Sequence, residues 1–146
     1  MYGYDGGKKI KGRKRCRAVN SQGNLLGVQV TGADVSDARG AYAVLDGVLG
    51  RYRSVRVVIA DKAYDREGLL EWFLGKWEVG LDCVGRCGGR GFVVLSRRWL
   101  VERSFAWLLC SGCLSRCWDV LCAVEEAWLW LAGIRRLMRH IAKHGS

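Results

Sequence analysis

Apolar residues along this chain gather into short runs that turn-forming segments separate. Residues 16–20 and 25–31 read as two β-strands, and the polar segment 21–24 between them is typical of a hairpin turn. A third apolar run, rich in β-branched residues, covers residues 55–60 and ends at Asp61. Because α/β proteins build their sites where strands end, Asp61 is a candidate functional residue.

Apolar residues at helical spacing predict four helices. They cover residues 37–49, 65–76, 97–109 and 124–140. A further strand is predicted at 78–84, followed by a glycine-containing loop at 86–91 and a short apolar run at 92–95. The order β-β-α-β-α-β-α-α predicts a single α/β domain that opens with a hairpin.

The charge balance of the chain indicates a polyanionic partner. There are 24 Lys and Arg residues against 14 Asp and Glu, a net charge of +10. Such a charge favours nucleic acid first and an anionic membrane surface second. Residues 1–17 are predicted to form a flexible basic arm, either a solvated tail or a phosphate-binding segment. Its candidate DNA-binding side chains are Lys8, Lys9, Lys11, Arg13, Lys14 and Arg15.

Neither a signal peptide nor an apolar run long enough to span a bilayer is evident, so a cytoplasmic location is expected. The seven cysteines are then expected to be reduced thiols. Cys110, Cys113 and Cys117 have a spacing compatible with zinc, but the same spacing marks one face of a helix. No fourth ligand is evident, so a zinc-stapled binding module is the disfavoured reading.

Two carboxylates stand out as candidate metal ligands. Asp61 follows a buried strand, and Glu102 lies in a predicted helix among arginines. Carboxylates from separate segments can hold two divalent cations for phosphoryl transfer. The alternative is a surface ion pair, since Arg98 precedes Glu102 by four residues.

Three stretches resemble DDE transposases of bacterial insertion sequences. They are residues 3–15 (GYDGGKKIKGRKR), 59–65 (IADKAYD) and 91–108 (GFVVLSRRWLVERSFAWL). The third stretch is long and specific, and all three occur in the family's order. The resemblance therefore extends over nearly the whole chain, 1–146.

The resemblance implies a ribonuclease-H-like mixed sheet flanked by helices. It implies that Asp61 and Glu102 are the second and third catalytic carboxylates and ligands of Mg²⁺ or Mn²⁺. Arg98 and Tyr64 match further residues of the catalytic blocks. Arg97, Arg98 and Arg103 are expected to contact phosphates. The implied reaction is cleavage and joining of double-stranded DNA by two-metal phosphoryl transfer, in DNA transposition, with a homo-oligomer possible.

The sequence also departs from the family's pattern. The first catalytic Asp of the family ends a strand upstream of the block at residues 3–15, so this chain is expected to lack that carboxylate and the central strand that carries it. Asp5 matches the block itself and is no substitute. The expectation is a partial catalytic domain that is inactive and marginally stable by itself. The alternative is a non-catalytic basic protein that regulates by occupying DNA.

Overall fold

The computed structural model describes residues 2–61, 64, 68–84, 98–115 and 120–144. The strands are β1 (Gly3–Asp5), β2 (Ile10–Val19), β3 (Leu25–Gly32), β4 (Val57–Asp61) and β5 (Gly80–Val84). The helices are α1 (Asp37–Arg51), α2 (Leu69–Trp77), α3 (Arg98–Leu109), α4 (Gly112–Ser115) and α5 (Cys122–His144). The predicted α/β class is confirmed, whereas the predicted loop at 86–91 and the apolar run at 92–95 lie outside the described residues.

The first sheet is antiparallel, with the order β1-β2-β3. The predicted hairpin is confirmed: Arg13 pairs with Gly32 at one end and Val19 with Leu25 at the other. Its turn is stabilised by the Asn20 side chain, whose Oδ1 accepts hydrogen bonds from the backbone N–H groups of Gln22 and Asn24. Gly23 has a φ of 78°, a conformation that glycine adopts without strain.

The segment expected to be a flexible arm is mostly strand. β2 begins at Ile10, and β1 pairs with it from Gly3↔Gly12 to Asp5↔Ile10. The tight turn between them is closed by Asp5, whose Oδ1 accepts hydrogen bonds from the N–H groups of Gly7 at 3.0 Å and Lys8 at 3.1 Å. The physical reason is that the basic side chains of β2 alternate between two faces and find acidic partners on both, as shown below.

The second sheet consists of β4 and β5, which pair in parallel from Val57↔Gly80 to Asp61↔Val84. The intervening α2 buries Phe73 completely, in a cluster with Leu49 of α1 and Val79. Among the described strands, neither β4 nor β5 pairs with the hairpin sheet. The turn held by Asn20 therefore belongs to the first sheet, whereas the strand that ends at Asp61 belongs to the second.

Helices cover the two faces of the β2–β3 hairpin. On one face, α1 approaches so closely that a Cβ on Gly27 would lie 2.6 Å from Val48 Cγ2. On the other face, Val30 is buried in a cluster with Leu108, Leu114 and Leu129. The hairpin is thus a layer between α1 on one side and α3, α4 and α5 on the other.

Candidate functional site

Asp61 is placed where the sequence predicted, at the carboxyl end of a strand. It ends β4, is partly buried and lies opposite Val84 of β5. Tyr64 is half-buried, and the ionisable groups of Cys16, Asp37 and Asp61 act on its phenol electrostatically. Burial first, and then these negative or ionisable neighbours, raise the pKa of the Tyr64 phenol to about 12. Asp61 thus contributes to the electrostatic environment of Tyr64.

Asp37 joins this region through Lys14. The Lys14 ammonium lies 3.4 Å from Asp37 Oδ1 and 3.3 Å from Asp5 Oδ2, and it donates a hydrogen bond to the carbonyl of Val35. Burial lowers the pKa of Lys14, but Asp37 and Asp5 outweigh that effect and leave it above its ordinary value. Sequence reasoning missed Asp37 as a neighbour of this site, because its only signal was a position at the start of α1.

Glu102 lies on α3, exposed to solvent. This helix packs on the other side of the hairpin, since Phe105 of α3 stacks under the guanidinium of Arg17. Arg17 and Cys16 are adjacent in β2 and point to opposite faces, so Glu102 and the Asp61 region adjoin different faces of the hairpin. Burial, and then Arg15, lower the pKa of Arg17 to about 9.

The three arginines predicted to contact phosphates near the start of α3 are only partly covered by the described residues. Arg103 is exposed, with its guanidinium 4.3 Å from the centre of the Trp107 ring. Arg98 begins α3, but its side chain lies outside the described residues, as does all of Arg97.

The described carboxylates do not by themselves form a divalent metal centre. Among residues 2–61, 64, 68–84, 98–115 and 120–144, no group of three or more His, Cys, Asp or Glu side chains could hold a metal ion. Asp61 and Glu102 therefore do not assemble with a third carboxylate in the described part of the chain. Of the cysteines with zinc-like spacing, Cys110 is exposed on the described surface, whereas Cys117 is outside it.

The six candidate DNA-binding residues of the basic arm divide into two groups. Arg13 and Arg15 flank Glu125 of α5, and Arg13 Nη1 donates a hydrogen bond to Glu125 Oε2 at 2.9 Å. The side chains of Arg13 and Glu125 are only 2% and 3% exposed. With Lys14 held by Asp5 and Asp37, three of the six candidate DNA-binding residues of the basic arm are engaged inside the protein.

The remaining three are available to a ligand. Lys8 and Lys9 lie in the turn between β1 and β2, Lys11 follows in β2, and all three are exposed. They share one tip of the hairpin layer and form what we call the lysine tip. Arg13, Lys14 and Arg15 are paired with carboxylates of the chain itself, so the lysine tip is the part of the predicted basic arm that faces solvent and can bind phosphate.

Comparison with known protein families gives a match over the first part of the chain. The family described as Transposase DDE domain matches residues 1–81, a segment that includes the lysine tip and Asp61. No curated protein and no solved structure matches the chain. None of the described helices is long and apolar enough to cross a membrane.

Proposed function

The chain belongs to the Transposase DDE domain family, and on that premise we propose that it is a DNA-binding transposase chain from a bacterial insertion sequence. Its role would lie in DNA transposition, in the cytoplasm and on double-stranded DNA. The observation that carries the DNA-binding role is the lysine tip, three exposed ammonium groups in a chain of net charge +10. Ammonium groups that neutralise phosphates supply most sequence-independent affinity for DNA.

The fold proposed for this function is ribonuclease-H-like and partial. An antiparallel hairpin, a helix and a parallel β4–β5 pair joined through α2 are the kinds of elements such a mixed sheet contains. The two described sheets do not pair with each other, which supports the proposal that residues 1–146 are part of a catalytic domain in which a further strand would join them.

We propose that Asp61 and Glu102 descend from metal-binding catalytic positions, with Tyr64 and Arg98 as their companions. When bound, Mg²⁺ or Mn²⁺ would supply charge neutralisation for phosphoryl transfer. The described carboxylates do not form a complete centre, so no catalytic step is assigned to them. The proposal is that this chain binds DNA and does not cleave or join it alone.

A second candidate is a non-catalytic regulator that binds DNA on the same scaffold. Both candidates use the lysine tip, and they differ in metal binding. Calorimetry with Mn²⁺ separates them: binding that is lost in Asp61→Ala supports a remnant metal site, whereas equal heats in both proteins support the regulator. Cleavage of duplex DNA by the purified chain with Mg²⁺ would contradict the proposed inactivity.

The DNA-binding role is tested by anisotropy of a labelled 30-base-pair duplex over a range of salt concentrations. Replacing Lys8, Lys9 and Lys11 by glutamine should weaken binding at low salt. It should also reduce the slope of log K against log salt by about 2.7, since each phosphate contact contributes about 0.9. The slope is diagnostic because a fold defect would lower active concentration without changing it.

A matched control removes the same charge elsewhere. Arg39, Arg51 and Arg56 are also exposed, and their replacement by glutamine changes the net charge by the same amount. If both triple variants lose the same slope, the chain binds DNA by overall charge and the lysine tip is not the contact surface.

A further inference from the structure

Helix α5 has two faces with different surroundings. One face contacts its own domain: Leu129 is buried, Gly133 packs on Leu25, and Arg136 donates hydrogen bonds to the turn at Gly23 and Asn24. The other face is apolar as well. We call its six residues the outer seam: Val124, Ala127, Leu131, Ile134, Met138 and Ile141.

The outer seam is exposed along its whole length. Ala127 is exposed, and the exposed fraction of the other five residues ranges from 38% at Val124 to 65% at Met138. A surface helix ordinarily presents polar side chains on the face away from its core. Here the charged side chains of α5 all lie off the outer seam, and Glu125, Glu126 and Arg136 contact the domain itself. Helix α5 therefore has a second, uncharged apolar surface.

The spacing of the outer seam specifies the kind of partner. Its residues are separated by 3, 4, 3, 4 and 3 positions, which is the a and d pattern of a seven-residue repeat. Such a repeat keeps apolar side chains in line along a supercoiled neighbour, whereas a straight helix on a sheet follows 3.6 residues per turn. The partner that fits is therefore another helix of similar length.

The area of the outer seam is adequate for a dimer of this chain. With Trp128 and Leu137, which flank it at 39% and 40% exposure, the seam offers on the order of 700 Å² per chain. A standard interface buries about 800 Å² per partner. A membrane surface would also cover apolar side chains, but it imposes no seven-residue register.

The charges of α5 set the orientation of the second helix. The first half of the helix contains Glu125 and Glu126 and no basic residue, whereas residues 134–144 contain three arginines and Lys143 and no acidic residue. Glu125 is already neutralised by Arg13 and Arg15. A parallel pair would place the two basic halves side by side, and an antiparallel pair keeps them apart.

We propose that a second copy of this chain packs antiparallel on the outer seam of α5. The two-fold axis passes between Leu131 and Ile134, so that Leu131 of each copy faces Ile134 of the other. In the same register Val124 faces Ile141, and Ala127 faces Met138. The interface rests on α5 alone and does not depend on whether the chain binds DNA.

Sedimentation equilibrium over a concentration series tests the interface. The wild-type chain should approach twice its 16.3 kDa mass, and Ile134→Glu should raise the dimer dissociation constant at least tenfold. Arg139→Glu introduces the same side chain off the seam and should leave association intact. A monomeric wild-type chain, or equal loss in both variants, would overturn the proposal. Circular dichroism confirms that each variant is folded.

Mixing two variants tests the orientation. Leu131→Lys and Ile134→Glu should each be monomeric, and an equimolar mixture should form a heterodimer, because the antiparallel register places the new lysine opposite the new glutamate. A parallel pair would place each charge opposite an apolar residue, so failure of the mixture to associate overturns the antiparallel assignment. Binding of a monomeric wild-type chain to phosphatidylserine vesicles, lost in Ile134→Glu, would assign the seam to membranes instead.

Discussion

The contact between Glu125 and two arginines of β2 ties α5 to the hairpin, and its removal has a calculable effect. In Glu125→Ala, Arg13 loses its carboxylate partner while its side chain, 2% exposed, stays in the interior. Arg15 loses the same partner and keeps its hydrogen bond to the Leu114 carbonyl. The variant therefore leaves two guanidinium groups near each other without the charge that neutralised them.

The expected cost is set by the desolvation of the remaining charge. Removing one partner of a buried ion pair costs about 3–5 kcal/mol, because the other charge is left uncompensated. A domain of this kind is stable by about 5–15 kcal/mol in total. Glu125→Ala should thus remove a large share of the free energy of unfolding, and Glu125→Gln, which keeps an acceptor and the side-chain volume, should cost less.

Urea unfolding followed by circular dichroism measures this cost. With an m value of about 2 kcal/mol/M, the midpoint should fall by about 2 M in Glu125→Ala. The matched control is Asp46→Ala, which breaks the exposed pair with Lys76 and should cost about 0–1 kcal/mol. If the two variants lose the same small amount, the buried pair does not hold α5 to the hairpin and the reasoning is refuted.

Three further predictions concern packing and ionisation. Gly27→Ala should destabilise the fold by about 1–3 kcal/mol, because the new Cβ would meet Val48. Gly47→Ala has open space around it in α1 and should stabilise the fold by about 0.5–1 kcal/mol. Thermal unfolding compares the two variants, and the reverse order of stability would contradict the α1–β3 packing. The Lys8 backbone N–H, with help from Lys14, lowers the pKa of Asp5, so its stabilising contribution is present above the ordinary Asp pKa and is lost as pH falls through the folded value. Asp5→Asn should flatten the acid limb of a stability–pH curve, and an unchanged limb would exclude this role. Burial raises the pKa of Tyr64 to about 12. The stability that this shift contributes is therefore complete below pH 10 and is lost as pH rises towards 12. Ultraviolet titration should show a late tyrosine ionisation that disappears in Tyr64→Phe, and its persistence would assign that ionisation to another residue.

The four longer helices and the hairpin were predictable because their signals are local, whereas the single turn of α4 (Gly112–Ser115) was not predicted. The 124–140 prediction lies within α5 (Cys122–His144), and 37–49 lies within α1 (Asp37–Arg51), where apolar spacing and a capping residue agree. The strand ending at Asp61 was found for the same reason. Periodicity of side chains within one segment is enough to reveal these elements.

The extent of β2 was not predictable, because its cause lies elsewhere in the chain. From sequence alone, Arg13 and Arg15 look like part of a basic arm. Their partner is Glu125, which lies 112 residues after Arg13 and 110 residues after Arg15. The same holds for Lys14, whose partners Asp5 and Asp37 come from a turn and a helix start. Sequence could identify charged residues, but only the tertiary arrangement separates those that face solvent from those that neutralise each other.

The long sequence separation within the Arg13–Glu125 contact also bears on the order of folding during synthesis. At about 5–20 residues per second, the ribosome makes the hairpin roughly 5–20 s before the helix that neutralises its arginines. During that interval one face of the nascent hairpin has neither its apolar cover nor its counter-charge. The positive charge that the finished fold conceals would then keep the unfinished chain soluble, and final docking of α5 would be the step that commits the hairpin to its native layer.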